Sequence, residues 1–408
     1  MYRLITIIVL SAASWKLGLS LFEGLSLILF VLYLIYFVRQ VGRRIVIFEL
    51  TVLMALLTWL VMPILFYHVF TESNELAWIW DKYMRVPSDE YYSFVLPATL
   101  LMAVGIHLPL ANRHVLYQPE IYFRRIREFL NKKVIVGVLL IVIGLLSTFV
   151  SPYVPVSLGF VFYLLEHLSF VGLLYLYFSE IPFRSMILTS GLVALLIQSI
   201  VSAMFGELIY ISFLAASLLL SVYRLKSHIK WIGLVTAVFL IFLLQAVKHE
   251  YRDVAWDQGA DPVFFFQAVG DKIVHPEKLW EPYTLFTFAI RLNQGWLIAN
   301  TMYHVPQHYD YGKGKTLLKS AAAILVPRVF WPDKPTSGGE ANLKRFWGVE
   351  LRGYSMNIGP IGEAYANFGK WGGMIFMFLY GVTLNVFLSF ILGLVKRYPT
   401  LLLWFPIL

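Results

Sequence analysis

Long apolar runs set the pattern of the chain. A helix that crosses a bilayer needs about 20 mostly apolar residues. Such runs fall near 20–38, 45–68, 91–110, 134–150, 157–178, 186–203, 207–222, 230–247 and 371–394. The stretch 4–17 is shorter, and the apolar tail from 398 to Leu408 reads as the start of one more span. The pattern predicts an all-α fold, a polytopic transmembrane helix bundle of about 10–11 spans.

Polar positions between the runs give the expected orientation. Arg39, Arg43 and Arg44 mark one cytoplasmic loop, and Arg113, Arg124, Arg125, Arg127, Lys132 and Lys133 a second. Arg224, Lys226 and Lys230 mark a third, and Lys396 with Arg397 the last. Positive charge stays on the cytoplasmic side of a membrane. Alternating the spans between these clusters puts 69–90 outside, where Glu72, Glu75, Asp81, Asp89 and Glu90 are gathered. The same alternation puts 248–370 outside. That segment is rich in Trp, Tyr and Phe, too aromatic for a disordered loop. It reads as a large extracytoplasmic loop of short interfacial helices. The expected organisation is a bundle over 1–247, a catalytic loop over 248–370 and a C-terminal membrane segment over 371–408.

Composition agrees with a lipid environment. Charged residues make up 14% and apolar residues 59% of the 408, where soluble domains carry about 25% charged. The net charge of +9 follows from the positive-inside bias, and no basic cluster has the form of a nucleic-acid site. The absence of cysteine excludes disulfides, thiolate metal sites and a cysteine nucleophile. No cleavable leader is evident.

Several motifs fail on inspection. Gly314-Lys315-Thr316 ends like a phosphate-binding loop, but the required earlier glycine is Tyr309. His249-Glu250 opens like a zinc-protease helix, but the second histidine position holds Asp253. No spacing of His, Asp and Glu suggests a metal, so no metal or other cofactor is expected. Glu166-His167 and Glu207 are ionisable residues within or beside apolar runs. Hydrogen bonding between helices accounts for the first pair, and all three stay outside the expected site.

The positive signal is basic and aromatic. Lys313, Lys315, Lys319, Arg328, Lys334, Lys344, Arg345 and Arg352 lie within 313–352, opposed only by Asp333, Glu340 and Glu350. An external loop has no positive-inside reason for this, and a guanidinium fork matches phosphate oxygens. Contact with anionic headgroups is the ordinary alternative. Arg291 stands alone in an apolar, interfacial segment, where an anion partner or snorkelling to water would accommodate it. The stretch Asn357-Ile358-Gly359-Pro360-Ile361-Gly362-Glu363-Ala364-Tyr365-Ala366-Asn367-Phe368-Gly369 predicts a helix with Pro360 in its first turn. Glu363 and Asn367, four apart, share one face of it, and the helix is expected to run on into the span near Trp371.

Two of these stretches carry a family likeness. Leu325-Val326-Pro327-Arg328…Trp331-Pro332-Asp333-Lys334-Pro335, followed by Ile358 to Gly369, resembles bacterial oligosaccharide repeat-unit polymerases of the O-antigen polymerase (Wzy-like) type. The motif likeness covers roughly 320–375 of the chain. One departure stands out: family members often carry Arg before the span near 207–222, where this chain reads Met204-Phe205-Gly206-Glu207.

The resemblance implies a membrane glycosyltransferase of the GT-C-type class in a bacterial cytoplasmic membrane. Such an enzyme joins undecaprenyl-diphosphate-linked repeat units at the outer face, without nucleotide sugar. Donor and acceptor are both lipid-linked oligosaccharides, and a chain-length regulator is a candidate protein partner. Arg291, Arg328, Arg345 and Arg352, with Lys334 in support, would hold the leaving diphosphate. Glu363 would orient or deprotonate the acceptor hydroxyl. Tyr365 and Asn367 would bind sugar hydroxyls, and Trp331, Trp347 and Tyr354 would stack on sugar faces. An O-antigen ligase is the rival within this chemistry. A lipid-linked oligosaccharide flippase is the rival outside it, and would show inverted repeats and broken helices.

Overall fold

The computed structural model describes residues 2–109, 112–131, 133–155, 158–179, 181–221, 223, 225–257, 259, 261–326, 330–331, 334, 339–350 and 356–405. All regular elements among them are helical. The principal helices are α1 (Tyr2–Lys16), α2 (Leu21–Gln40), α3 (Ile47–His68), α4 (Ser88–His107), α5 (Pro119–Leu130), α6 (Val134–Tyr153), α7 (Gly159–Phe178) and α8 (Arg184–Val201). After them come α9 (Gly206–Leu220), α10 (Ser227–Asp257), α11 (Pro262–Val274), α12 (Pro282–Leu292), α13 (Gly295–His304), α14 (Lys315–Leu325), α15 (Glu340–Trp347) and α16 (Gly359–Arg397).

Among the described residues, seven helices are long and apolar enough to cross a membrane: α2, α3, α6, α7, α8, α16 and the Ser227–Lys248 part of α10. The chain is a multi-pass membrane protein. Against the expected 10–11 spans, seven candidates meet the length and hydropathy of a span among the described residues. α1 and α9 have 15 residues each, about 22 Å of helix against a hydrocarbon core of about 30 Å. α4 has the length, but Ser88, Asp89 and Glu90 open it and Pro97 lies inside it. Within the tail, Pro399–Trp404 forms a short 3₁₀ turn.

The chain divides into two compact units. One holds residues 1–38, 48–110 and 281–387; the other holds 39–47, 111–280 and 388–408. The predicted loop 248–370 is shared between them, with 248–280 in the second unit and 281–370 in the first.

In the second unit α6 and α7 cross at small residues. A Cβ at Gly172 would lie 2.6 Å from the Gly137 carbonyl oxygen, and one at Gly144 would lie 2.4 Å from the Ser169 nitrogen. Glycine there lets two apolar helices approach backbone to backbone. α10 and α11 close around Phe205, Val247, Tyr251 and Phe265, and buried Lys272 reaches Glu250 at 2.8 Å.

In the first unit α3 widens into a π-helical turn at Leu56–Val61. A π turn frees carbonyls from the regular ladder, and a buried free carbonyl needs a donor. Three successive ones find it outside their own helix. The Gln294 N–H donates to Thr58 (3.2 Å), the Tyr91 hydroxyl to Trp59 (2.8 Å) and the Tyr92 hydroxyl to Leu60 (2.6 Å). The π turn thus fastens both the first turn of α4 and the α12–α13 junction to the middle of an apolar span.

Candidate functional site

α12 and α13 are two halves of one apolar segment, broken at Asn293-Gln294. Asn293 is fully buried and its Oδ1 accepts from the Gly295 N–H at 2.8 Å. Its Nδ2 is buried with no partner among the described residues. Gly295 has no room for a side chain, since a Cβ there would sit 2.3 Å from Pro63 and 2.6 Å from the Tyr91 hydroxyl. Sequence and packing therefore place a polar break against α3, where a continuous helix would have hidden it.

Trp296 lies in the first turn of α13, and the Lys82 ammonium lies 3.6 Å above its ring. Lys82 also approaches the Met356 sulfur at 3.9 Å. Neither neighbour is an anion. Burial pushes the Lys82 ammonium down to about 8, opposed by the Asp81 carboxylate and helped, to a lesser degree, by the Arg291 guanidinium. Asp81 is engaged elsewhere, with the Arg85 guanidinium at 2.6 Å. Arg85 in turn lies over the rings of Tyr83 and Tyr303, at 5.3 and 5.4 Å. At the far end of α13, His304 stacks on Trp347, ring centres 6.2 Å apart. Burial, Arg85 and His308 hold His304 below its ordinary value, against an opposing effect of Asp81. Arg85 Nε and His304 Nδ1 join Asn293 Nδ2 as buried polar atoms without a partner among the described residues.

α16 supplies the carboxylate. Glu363 is half-buried, and Asn342 of α15 donates to its Oε1 at 2.7 Å. No cation pairs with it among the described residues. The helix does not run on into the span as expected. It breaks at Gly369, whose φ of 66° and ψ of −166° belong to a region that is essentially glycine-only. The two arms, 359–368 and 370–397, fold closely together. A Cβ on Gly372 would lie 2.7 Å from the Phe368 Cβ, and one on Gly373 would lie 3.2 Å from the Ala364 backbone.

Asn367 fixes the short arm. It is buried, and its Oδ1 accepts from the Gly314 N–H at 3.0 Å and faces the Thr316 hydroxyl at 3.0 Å. Its Nδ2 donates to Thr316 Oγ1 (2.8 Å) and to the Glu363 carbonyl (2.9 Å). Backbone N–H groups of Gly312 and Lys313 donate to the carbonyls of Ala366 and Asn367. Gly314-Lys315-Thr316, rejected as a phosphate loop, is thus the turn that Asn367 holds.

The other expected site residues separate. Arg291 lies in the last turn of α12, exposed and beside Lys82. Arg345 is exposed, over the Phe346 ring and 3.4 Å from the Asp310 carbonyl. Lys334 donates to the Val326 carbonyl at 3.0 Å, and its own N–H to that of Trp331, which is half-buried. Lys344 is paired with Glu350. Tyr365 is buried edge-on against Phe94, ring centres 5.1 Å apart, and beside Tyr311. Trp347 donates from its indole to Thr301 at 3.1 Å. Arg328, Arg352 and Tyr354 lie outside the described residues. Sequence reasoning missed Lys82, Arg85 and His304. The available signal was Lys82-Tyr83-Met84-Arg85, two cations among bulky side chains in an otherwise acidic loop.

Fold and site together define an all-helical, multi-pass membrane protein with a polar, aromatic-walled site at a broken helix. Its family follows from the match of residues 114–390 to a domain of unknown function, DUF8712. The match covers most of the chain, and the protein belongs to that family. It takes in Arg291 and Glu363, while Lys82 and Arg85 precede it. No curated protein and no solved structure matches the chain.

Proposed function

We propose that this protein is a membrane glycosyltransferase that joins lipid-diphosphate-linked oligosaccharide units into a surface polysaccharide. The observation that carries the reading lies within one compact unit. Among the described residues, a half-buried carboxylate with no ion pair, Glu363, accompanies two cations with no ion pair, Lys82 and Arg291. Charges kept apart in this way fit a transfer in which a diphosphate leaves and a hydroxyl attacks. The cations stabilise negative charge as the anomeric C–O bond breaks. Glu363, held by Asn342, takes the proton of the acceptor hydroxyl as the new glycosidic bond forms. Asn367 acts as a positioning residue, since it fastens the arm that presents Glu363. The apolar helices accommodate the prenyl chains, and the site faces the outer side of a bacterial cytoplasmic membrane. The likeness to Wzy-type polymerases supports this reading, and ligation to a different lipid acceptor uses the same groups.

One observation favours a second reading, a lipid-linked oligosaccharide transporter. The α12–α13 break against the π turn of α3 is a discontinuous helix of the kind found at transporter sites. Surface-glycan length in cells separates the two. Glu363→Gln at normal protein level abolishes long polymer if Glu363 is a base. If it leaves chain length unchanged, transport is favoured and the transferase reading falls.

A further inference from the structure

The second unit holds a cavity that the proposed reaction does not use. It forms where the connector 39–47, between α2 and α3, passes the start of α5 and the end of α9. The connector is pinned on both sides. The Ile45 N–H donates to the Leu116 carbonyl at 3.1 Å, and the Val46 N–H to the Ser217 hydroxyl at 3.3 Å. At Gly42, with φ of 72°, a Cβ would lie 2.5 Å from the Tyr223 carbonyl oxygen, so the close approach needs glycine. Between these fixed walls stays a cavity of about 660 Å³, within the range of about 300–1,000 Å³ common for small-molecule sites. Arg43, Tyr117, Glu120, Ile121, Ser221 and Leu225 line it. Arg43 and Glu120 bring opposite charges to this one space, and neither has an ion pair among the described residues. The Arg44 guanidinium lies 4.8 Å from the centre of the Tyr117 ring and holds that wall in place.

We infer that this cavity binds the headgroup of a zwitterionic phospholipid, a phosphate joined through two carbons to a primary ammonium. The Arg43 fork takes the phosphate oxygens, and the Glu120 carboxylate accepts hydrogen bonds from the ammonium. A guanidinium and a carboxylate that face one cavity without pairing suit a ligand that carries both signs. A purely anionic headgroup would satisfy Arg43 and be repelled by Glu120. The place suits a lipid better than a dissolved zwitterion. Gly42 follows the last residue of α2 by two positions, and Leu225 precedes the first of α10 by two. Both helices are candidate spans, so the cavity lies at span ends, the level of the headgroups. Tyr117 and Ile121 are exposed beside it and give the start of the acyl chains an aromatic and apolar rim.

The test uses full-length protein in detergent micelles, with dioleoylphosphatidylethanolamine as probe and bound lipid counted by native mass spectrometry. Wild type retains one such lipid at least about fivefold more tightly than phosphatidylcholine, whose trimethylated nitrogen has no hydrogen to donate. The same margin holds over phosphatidylglycerol, which has no cation for Glu120. Arg43→Ala weakens retention of all three lipids about tenfold, the loss of a charge-assisted contact to phosphate. Glu120→Gln removes the preference for phosphatidylethanolamine and leaves phosphatidylglycerol bound as tightly as before or more so. Both side chains are exposed, so each variant melts near the wild-type temperature, and a lost lipid then reports the site rather than the fold. Equal retention of the three lipids by wild type, or an unchanged preference in Glu120→Gln, overturns the inference. Displacement of the probe by free O-phosphoethanolamine at equal concentration also overturns it, and assigns the cavity to a soluble zwitterion.

Discussion

Two clusters of the first unit treat their polar groups in opposite ways. Around Asn367 both amide atoms find partners in the protein, on Gly314, Thr316 and the Glu363 carbonyl. Around Lys82 the ammonium faces a ring and a sulfur, and among the described residues Arg291 has no ion pair and Asn293, Arg85 and His304 keep buried atoms without partners. A satisfied network holds one shape. An unsatisfied one holds a cost that a bound ligand removes. On the proposed function the difference separates residues that hold the site's shape from residues that would meet substrate, and each should respond differently to substitution.

The largest effect is expected at the satisfied cluster. Asn367→Ala strands the Gly314 N–H and the Thr316 hydroxyl, at about 1–3 kcal/mol for each buried group. A loss of about 3 kcal/mol in unfolding free energy, read by denaturant titration in detergent micelles, is the expected outcome. Gly369→Ala follows, because alanine does not adopt the Gly369 backbone conformation; about 2 kcal/mol is expected in the same assay. If either variant kept full stability, the contrast between the clusters would break.

Lys82→Met reverses the sign on stability while, on the proposed function, weakening binding of undecaprenyl diphosphate about tenfold, or about 1.4 kcal/mol. Lys82 titrates near 8 in the fold against an ordinary 10.5. The folded chain therefore binds fewer protons than the unfolded chain between those values, and stability rises with pH across that window. At pH 7 the charged ammonium opposes folding, and methionine removes that opposition.

The smallest effect is the pH dependence of binding in the wild type. The diphosphate needs the protonated lysine, so affinity falls about fourfold between pH 7 and 8.5. The groups that bear on Lys82 are Asp81 and Arg291. A flat profile for Lys82→Met beside a falling one for wild type sharpens the assignment; parallel profiles remove Lys82 from the site.

Most of the membrane layout was legible because a span is a local property. Twenty apolar residues announce themselves, and the runs at 20–38, 45–68, 134–150 and 371–394 each coincide with an apolar helix. Length failed at Gly206–Leu220, where the hydropathy was sufficient and the helix too short. Glu363 stood out as a lone acid in a helix beside a basic stretch. The break at Gly369 was hidden, since Asn367-Phe368-Gly369-Lys370 reads as continuous helix and only the packing of Gly372 and Gly373 on the short arm shows the turn. Lys82 was hidden for another reason. Its meaning depends on Trp296 and Arg291, far along the chain, and its own neighbourhood is acidic. The π turn of α3 has no sequence signature at all. It shows itself through the hydroxyls of Tyr91 and Tyr92 that satisfy it.

The central claim is formation of a new glycosidic bond from a lipid-diphosphate donor. Purified protein in nanodiscs, given a lipid-linked repeat unit and no nucleotide sugar, should yield longer lipid-linked chains and free undecaprenyl diphosphate. Glu363→Gln should yield neither while still binding the carrier. Movement of the lipid between leaflets with no change in glycan length would contradict the account.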